Sequence, residues 1–450
     1  MNAAEPTPVD PGAAGDRRAL RSVAIQFFAN GMVYATFIPR LPEIRDRVGI
    51  SIGALGVVLM LGSVAGLVGS LFTGRVIARF GTRRVLIVGG ILSVGSLPII
   101  GFATSPVMLV VGLTGVLFFD VFIDVSMNVQ GSEISSRRHT PVMNRLHGLW
   151  SLGTVTGGVA TVALVRAGVD APTQLTATAL LLIGALLYIS PGLLRMDTDP
   201  HLLDPATAGE VRPSNQPTPR RFVGLSLAIG GAAAMTLEVS NGDWATFRLT
   251  DDLGASAGVA GLAFLGFSVG MTAGRLGGDW VQVRLGPTRL LRVATVVAGV
   301  GSAIAALVPN VALSIVGFVV AGLGVATLFP QLYDRAARAP GRAGSGFSAM
   351  LVGQRSAAIV SPLVVGALAD TEVLGVGDAV ALVVLPAAAL MFLTTRPPPP
   401  TPPSPPRPPS PPSPPSPSGP NAGTNGPLTG PFVHAFAGAR GPVRGGGGAG

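Results

Sequence analysis

The chain has 450 residues, 48% of them hydrophobic and only 12% charged, with no cysteine and a formal net charge of +9. A soluble domain carries roughly 25% charged residues, so this balance makes lipid the solvent for most of the chain, and the lack of cysteine excludes disulfides and thiolate metal sites. All 31 basic residues are arginine, which excludes P-loop ATPases, pyridoxal enzymes and Schiff-base chemistry, since each needs a lysine.

In chain order, residues 1–20 are polar and read as a flexible N-terminus. A helix needs roughly 20 apolar residues to cross the hydrocarbon core. Twelve such stretches follow, at about 21–39, 52–73, 85–103, 106–131, 147–168, 173–194, 222–247, 257–279, 290–308, 311–333, 346–369 and 376–395. The run after Arg17, Arg18 and Arg21 reads as the first span rather than a signal peptide. No small-x-small cleavage site follows it, and Asn30 and Tyr34 interrupt it. The domains are thus an N-terminal six-helix bundle (21–194), a polar, proline-rich cytoplasmic linker (195–221), a second bundle (222–396) and a Pro/Gly-rich tail (397–450). The tail's composition forbids a helix and predicts a disordered, polyproline-like segment. The expected fold is an all-α integral membrane protein of twelve transmembrane helices in two six-helix pseudo-repeats.

Arginine sets the orientation. One set of loops and ends carries most of it. The opposite set holds Arg40, Arg45, Arg47, Arg166 and Arg248. The positive-inside rule then places both termini in the cytoplasm. Arginines confined to short loops also argue against nucleic acid as the partner of this basic chain. Dense small residues, as in Gly153–Gly157 and Gly266–Gly270–Gly274, predict close helix approach.

The halves are related by a register of 205 residues. Gly49, Ser51, Gly53 and Gly56 open a run that ends at Gly69. Gly254, Ser256, Gly258 and Gly261 open another that ends at Gly274. Arg79, Gly81, Arg84 and Leu86 follow the first, and Arg284, Gly286, Arg289 and Leu291 the second. Such a duplication is the mark of secondary transporters. The echo fails where it pairs Asp120 with Val325, Asp124 with Phe329 and Trp150 with Arg355.

With this layout, Gly74, Arg79, Gly81, Arg83 and Arg84 resemble the 2–3 loop signature of the major facilitator superfamily, Gly-x-x-x-Asp-Arg-x-Gly-Arg-Arg. Ala78 stands where that signature has its acid, so the charge relay that the acid makes in the family is weakened or moved. Asp279 offers an acid in the second half. Asp124–Gln130, Leu146–Gly153 and Asp243-Trp244 further resemble poorly characterised bacterial inner-membrane members of the YbjJ kind. The resemblance implies a multi-pass transporter of a bacterial-type plasma membrane, with spans 1, 4, 7 and 10 around a central cavity and a loop motif, Gly74, Arg79, Gly81, Arg83, Arg84, Asp279, Arg284 and Gly286, that couples to its conformation.

Charge at membrane depth costs about 2.5–3.5 kcal/mol on insertion scales, so it marks a cavity or a partner. Asp120, Asp124 and Asn128 recur every four residues and share one face of span 4. Glu238 lies in span 7 and Arg355 near the middle of span 11. A guanidinium keeps its charge, so Arg355 calls for a carboxylate, Glu238 or Asp120. Asp120, Asp124, Glu238 and Arg355 are the proton-coupling candidates. Gln26, Asn30 and Tyr34, a polar stripe on span 1, join Asn128 and Gln354 as substrate-cavity candidates. Asp243 reads as a rim residue, Trp244 as an interfacial anchor, His147 as a helix cap and Pro330 as a helix break. The histidines (His139, His147, His201, His434) are scattered, so neither metal nor cofactor is predicted. Gly-x-Ser-x-Gly around Ser51, Ser256 and Ser268 follows no strand and does not make a hydrolase.

The expectation is a non-enzymatic, monomeric, proton-coupled transporter of a small molecule, with efflux of an amphipathic compound ahead of symport uptake of a polar nutrient. A non-transporting receptor or scaffold acting through the tail is the alternative of another class.

Overall fold

The computed structural model describes residues 11–138, 142–195, 220–339 and 345–395. Most of the 195–221 linker and the 397–450 tail, with His139, His201 and His434, lie outside the described residues.

Helix α1 (Pro11–Phe37) passes through a 3-10 turn at Ile38–Arg40 into short α2 (Leu41–Val48). Then come α3 (Ile52–Phe80), α4 (Thr82–Gly95), short α5 (Leu97–Gly101), α6 (Pro106–Arg137), α7 (Met143–Arg166) and α8 (Ala171–Ile189). The second half runs α9 (Arg220–Asp243), short α10 (Ala245–Phe247), a π turn at Arg248–Asp252, α11 (Ala257–Leu285), α12 (Pro287–Leu307), α13 (Val311–Val325), α14 (Leu328–Ala337), α15 (Ser345–Ala369) and α16 (Val376–Thr394). We call the face that carries the α3–α4 and α11–α12 turns the near face, and the opposite one the far face.

Eleven helices among the described residues are long and apolar enough to cross a membrane, where twelve were expected. The one missing is α1. It is 27 residues long, roughly 40 Å at 1.5 Å per residue. Its composition falls short because Asp16, Arg17, Arg18 and Arg21 occupy its first half and the polar stripe its second. The helix also starts ten residues ahead of the expected span. Span 10 is broken as foreseen, but at Ala326–Thr327, just ahead of Pro330. Span 7 ends at Asp243, earlier than expected. Trp244, expected at the membrane interface, is fully buried beside Phe247.

The halves repeat in contacts as well as in letters. Ser105 and Asn310, 205 residues apart, each cap a helix by accepting from the amide three residues on. A Cβ on Gly112 would meet the Ile100 backbone. One on Gly317 would meet the Ala305 backbone, again 205 residues later. The register is not constant. Gly31 and Gly153 clamp α1 to α7 against the backbones of Trp150 and Phe28, while Gly231 and Gly353 clamp α9 to α15 against those of Met350 and Ala228. These pairs are 200 residues apart. Trp150 is therefore matched to Met350, which corrects its alignment with Arg355.

Within each half, then, helices meet backbone to backbone. The Gly266–Gly270–Gly274 stripe does the same for α11 against Ile315, Val319 and Leu323 of α13. Such contacts tolerate no side chain. Gly153→Leu should lower stability by about 1–3 kcal/mol or more, the cost of overpacking. Gly184→Leu, on the exposed side of α8 where a Cβ meets open space, should change it little. Thermal unfolding of the two purified variants in detergent checks this.

Candidate functional site

The two halves meet along two seams, and both taper. At the far end of the α3–α15 seam, a Cβ on Gly56 would lie 2.6 Å from the Pro362 carbonyl and 3.1 Å from the Gly366 Cα. Asp370, at the end of α15, accepts from the Ser51 hydroxyl and the Gly53 amide, both at 3.2 Å. A carboxylate from one half thus caps a helix of the other, where the helix dipole favours it. Arg45 adds an ion pair with Asp251 of the other half and lies 5.3 Å from the Phe247 ring centroid. At the far end of the α7–α11 seam, Gly258 packs on the Arg166 stem and Gly261 on Val162. At the near ends, a Cβ on Gly74, Gly148 or Gly277 would meet nothing within 4 Å.

The wedge opened by this taper is a cavity of about 1320 Å³ between α3, α6 and α15. Apolar side chains such as Leu67, Val121, Leu351 and Ile359 form much of its wall. Four charges interrupt it: Arg75, Arg355, Asp124 and Asp120. Counted from the near-face end of each helix at 1.5 Å per residue, they lie roughly 8, 15, 20 and 26 Å deep. The cavity is positive at its mouth and negative at its floor.

Asp120 is held from the first half alone. The Tyr34 hydroxyl donates to its Oδ2 at 3.3 Å, and Asn30 approaches the same carboxylate. Its Oδ1 is buried with no hydrogen-bond partner. One helical turn on, Asp124 is open to the cavity, and its Oδ1 accepts from Asn128 Nδ2 at 3.0 Å. The polar stripe of α1 and the acidic face of α6 therefore meet at Tyr34 and Asp120, a pairing the spacing of neither helix encodes. Gln26 and Asn30 are buried, and Tyr34 is half-buried.

Arg355 departs from expectation. No described carboxylate lies within 4.0 Å of it, and it faces the α6 acids across open space. Glu238 is instead 4.0 Å from Arg275 of α11. Arg275 reaches across the second seam, donating to Ser151 Oγ at 3.3 Å and sitting 5.4 Å from the Trp150 ring centroid. It is the residue that sequence reasoning passed over. It lies inside the apolar 257–279 run, a charge at membrane depth by the same signal that marks Arg355. Gln354, beside Arg355, is half-buried with its Oε1 unpartnered. His147, read as a cap, is exposed and meets Phe27 edge-on at 5.3 Å.

The glycine turn of the loop motif repeats in both halves. Gly81 (φ 76, ψ 152) joins α3 to α4, and Gly286 (φ 74, ψ 160) joins α11 to α12. This positive φ is one that L side chains rarely adopt. Arg79 lies over Phe80 and Arg284 over Trp280, at 5.6 and 3.5 Å from the ring centroids. Asp279 is exposed and pairs with none of the described arginines within 4.0 Å. It aligns with Gly74 rather than Ala78, so it does not replace the missing acid of the signature. Arg83 and Arg84 follow on the first turn of α4.

Comparison with known proteins places this architecture. The model of the Major Facilitator Superfamily matches residues 23–238 and 227–439. An uncharacterized MFS-type transporter of Yersinia pestis is 28% identical over 320 residues, covering 70% of this chain and 79% of its own. Membrane protein MosC of Rhizobium meliloti is 27% identical over 374 residues, covering 82% and 88%. Among solved structures, the nucleoside transporter NupG superposes with a TM-score of 0.61 at 13% identity over 83% of this chain and 96% of its own. A bacterial homolog of the human lysosomal transporter Spinster, in an inward-facing and unoccupied conformation, gives 0.60 at 14% identity over 87% and 98%. With the family model matching both halves over most of their length, the chain belongs to the major facilitator superfamily and is a membrane transporter of that kind.

Proposed function

We propose that this transporter is proton-coupled and works by alternating access, with the near face in the cytoplasm of a bacterial-type cell and α1 as the twelfth span. The state described here is then open to the cytoplasm. The observation that carries the coupling is Asp120: an acid at membrane depth, at the floor of a cavity, with one oxygen bound to Tyr34 and the other buried and unpartnered. Such a group alternates between a proton and a counter-charge as its access changes. Glu238, against Arg275, is its counterpart in the second half. The apolar walls suit an amphipathic solute and favour efflux.

In inverted vesicles with an imposed pH gradient, Asp120→Asn should slow gradient-driven transport by at least about a hundredfold, the scale of a lost proton-transfer group. Glu238→Gln should act in the same direction. Membrane abundance should be unchanged for both. If both variants still couple solute to proton movement, the assignment is wrong.

The taper gives a second expectation. Gly56→Leu should prevent the far ends of α3 and α15 from meeting and open that face. Gly74→Leu fits the open near end and should obstruct its closure. Thiol labelling of single cysteines placed at each mouth, in a chain that has none of its own, reads both effects. They should be opposite in sign.

A further inference from the structure

Proton coupling leaves Asp124 and Arg355 without a task. Arg355 is a permanent charge with no described carboxylate within 4.0 Å. Asp124 faces it from the opposite wall. Asn128 occupies its Oδ1, and its Oδ2 makes no hydrogen bond with a described residue. The two residues come from different halves, α6 and α15, and differ by only about 5 Å in depth by helical rise. Between them is the open wedge, walled by Leu67, Leu351 and Ile359. A charge on each wall, of opposite sign, with apolar surface around them, is complementary to one class of molecule.

We propose that the substrate is an amphipathic amino-carboxylate, its ammonium held by Asp124 on α6 and its carboxylate by the Arg355 guanidinium on α15. This rests on the transporter reading above and names the substrate class of the same cavity. A charge-assisted hydrogen bond at each end would compensate Asp124 and Arg355 at once and link the two halves through the ligand. A pure cation would leave Arg355 uncompensated, and a pure anion would leave Asp124. The two α6 acids thereby divide the work: Asp124 at the open level recognises, and Asp120, deeper and tied to Tyr34, carries the proton.

The test is isothermal titration calorimetry of the purified full chain with three probes that share a phenyl body: phenylalanine, phenethylamine and 3-phenylpropionate. Phenylalanine should bind at least about tenfold more tightly than either single-charge analogue, the equivalent of one charged hydrogen bond. Arg355→Gln should reduce phenylalanine to the level of phenethylamine and should not weaken phenethylamine. Asp124→Asn should reduce it to the level of 3-phenylpropionate. Arg355→Lys, which keeps the charge but not the fork, should fall between wild type and Arg355→Gln. Equal binding of all three probes, preference for phenethylamine or 3-phenylpropionate alone, or no heat from any of them at millimolar concentration would overturn the assignment. If the single cysteines at the two mouths still label alternately, only this inference fails. If they do not, the transporter reading fails with it.

Discussion

The structure depends on a difference between two kinds of helix contact. Inside each half, α1 meets α7, α9 meets α15 and α11 meets α13 through glycine, backbone on backbone. Between the halves, the far-face contacts combine such packing with polar groups: the Asp370 cap on α3, and the Arg45–Asp251 pair. Packed backbones have no second arrangement at low cost. Ion pairs and caps open to water are worth little individually and can be exchanged for hydration. The halves are therefore the stiffer parts, the cavity lies at the open end of the α3–α15 seam, and on the proposed alternating-access reading the seams are where the molecule gives.

Arginine is the second constraint, because its charge cannot be removed. Three of the far-face arginines that run against the positive-inside pattern are held by partners close by. Arg40 donates to Gln174 at 2.7 Å, to Glu43 at 2.7 Å and to the Val169 carbonyl. Arg47 reaches the Gly101 and Ala103 carbonyls. Arg248 pairs with Asp252 at 2.8 Å, which also caps α16 through the Val376 and Gly377 amides. These are structural plugs. Arg275 and Arg355 differ. One spans a seam, and the other faces a cavity without an ion-pair partner among the described residues.

Much of this was legible in the chain itself. Apolar runs and the 205-residue echo gave the spans and the pseudo-symmetry, and the i, i+4 spacing of Asp120, Asp124 and Asn128 gave the shared face. Two things were not legible. Pairing across helices depends on which seam is closed, which no local pattern encodes, so Glu238 was offered, beside Asp120, as a partner for Arg355, and its neighbour Arg275 was missed. Register also shifts by five residues between spans, so a single offset misaligned Trp150. Trp244 failed for a related reason. An indole at a span end is ordinarily an interfacial anchor, but here the chain continues past it into α10 and the indole is buried beside Phe247.

The central claim is that two rigid halves exchange which end of their seam is closed. Electron–electron resonance distances between spin labels test it most directly, with one pair at Ala78 and Leu351 on the near face and another at Ser51 and Thr371 on the far face. The account predicts that conditions which shorten the first distance lengthen the second, while a pair within one half, at Gln26 and Leu152, stays constant. Both seam distances changing in the same direction, or the pair within the half changing with them, would contradict it.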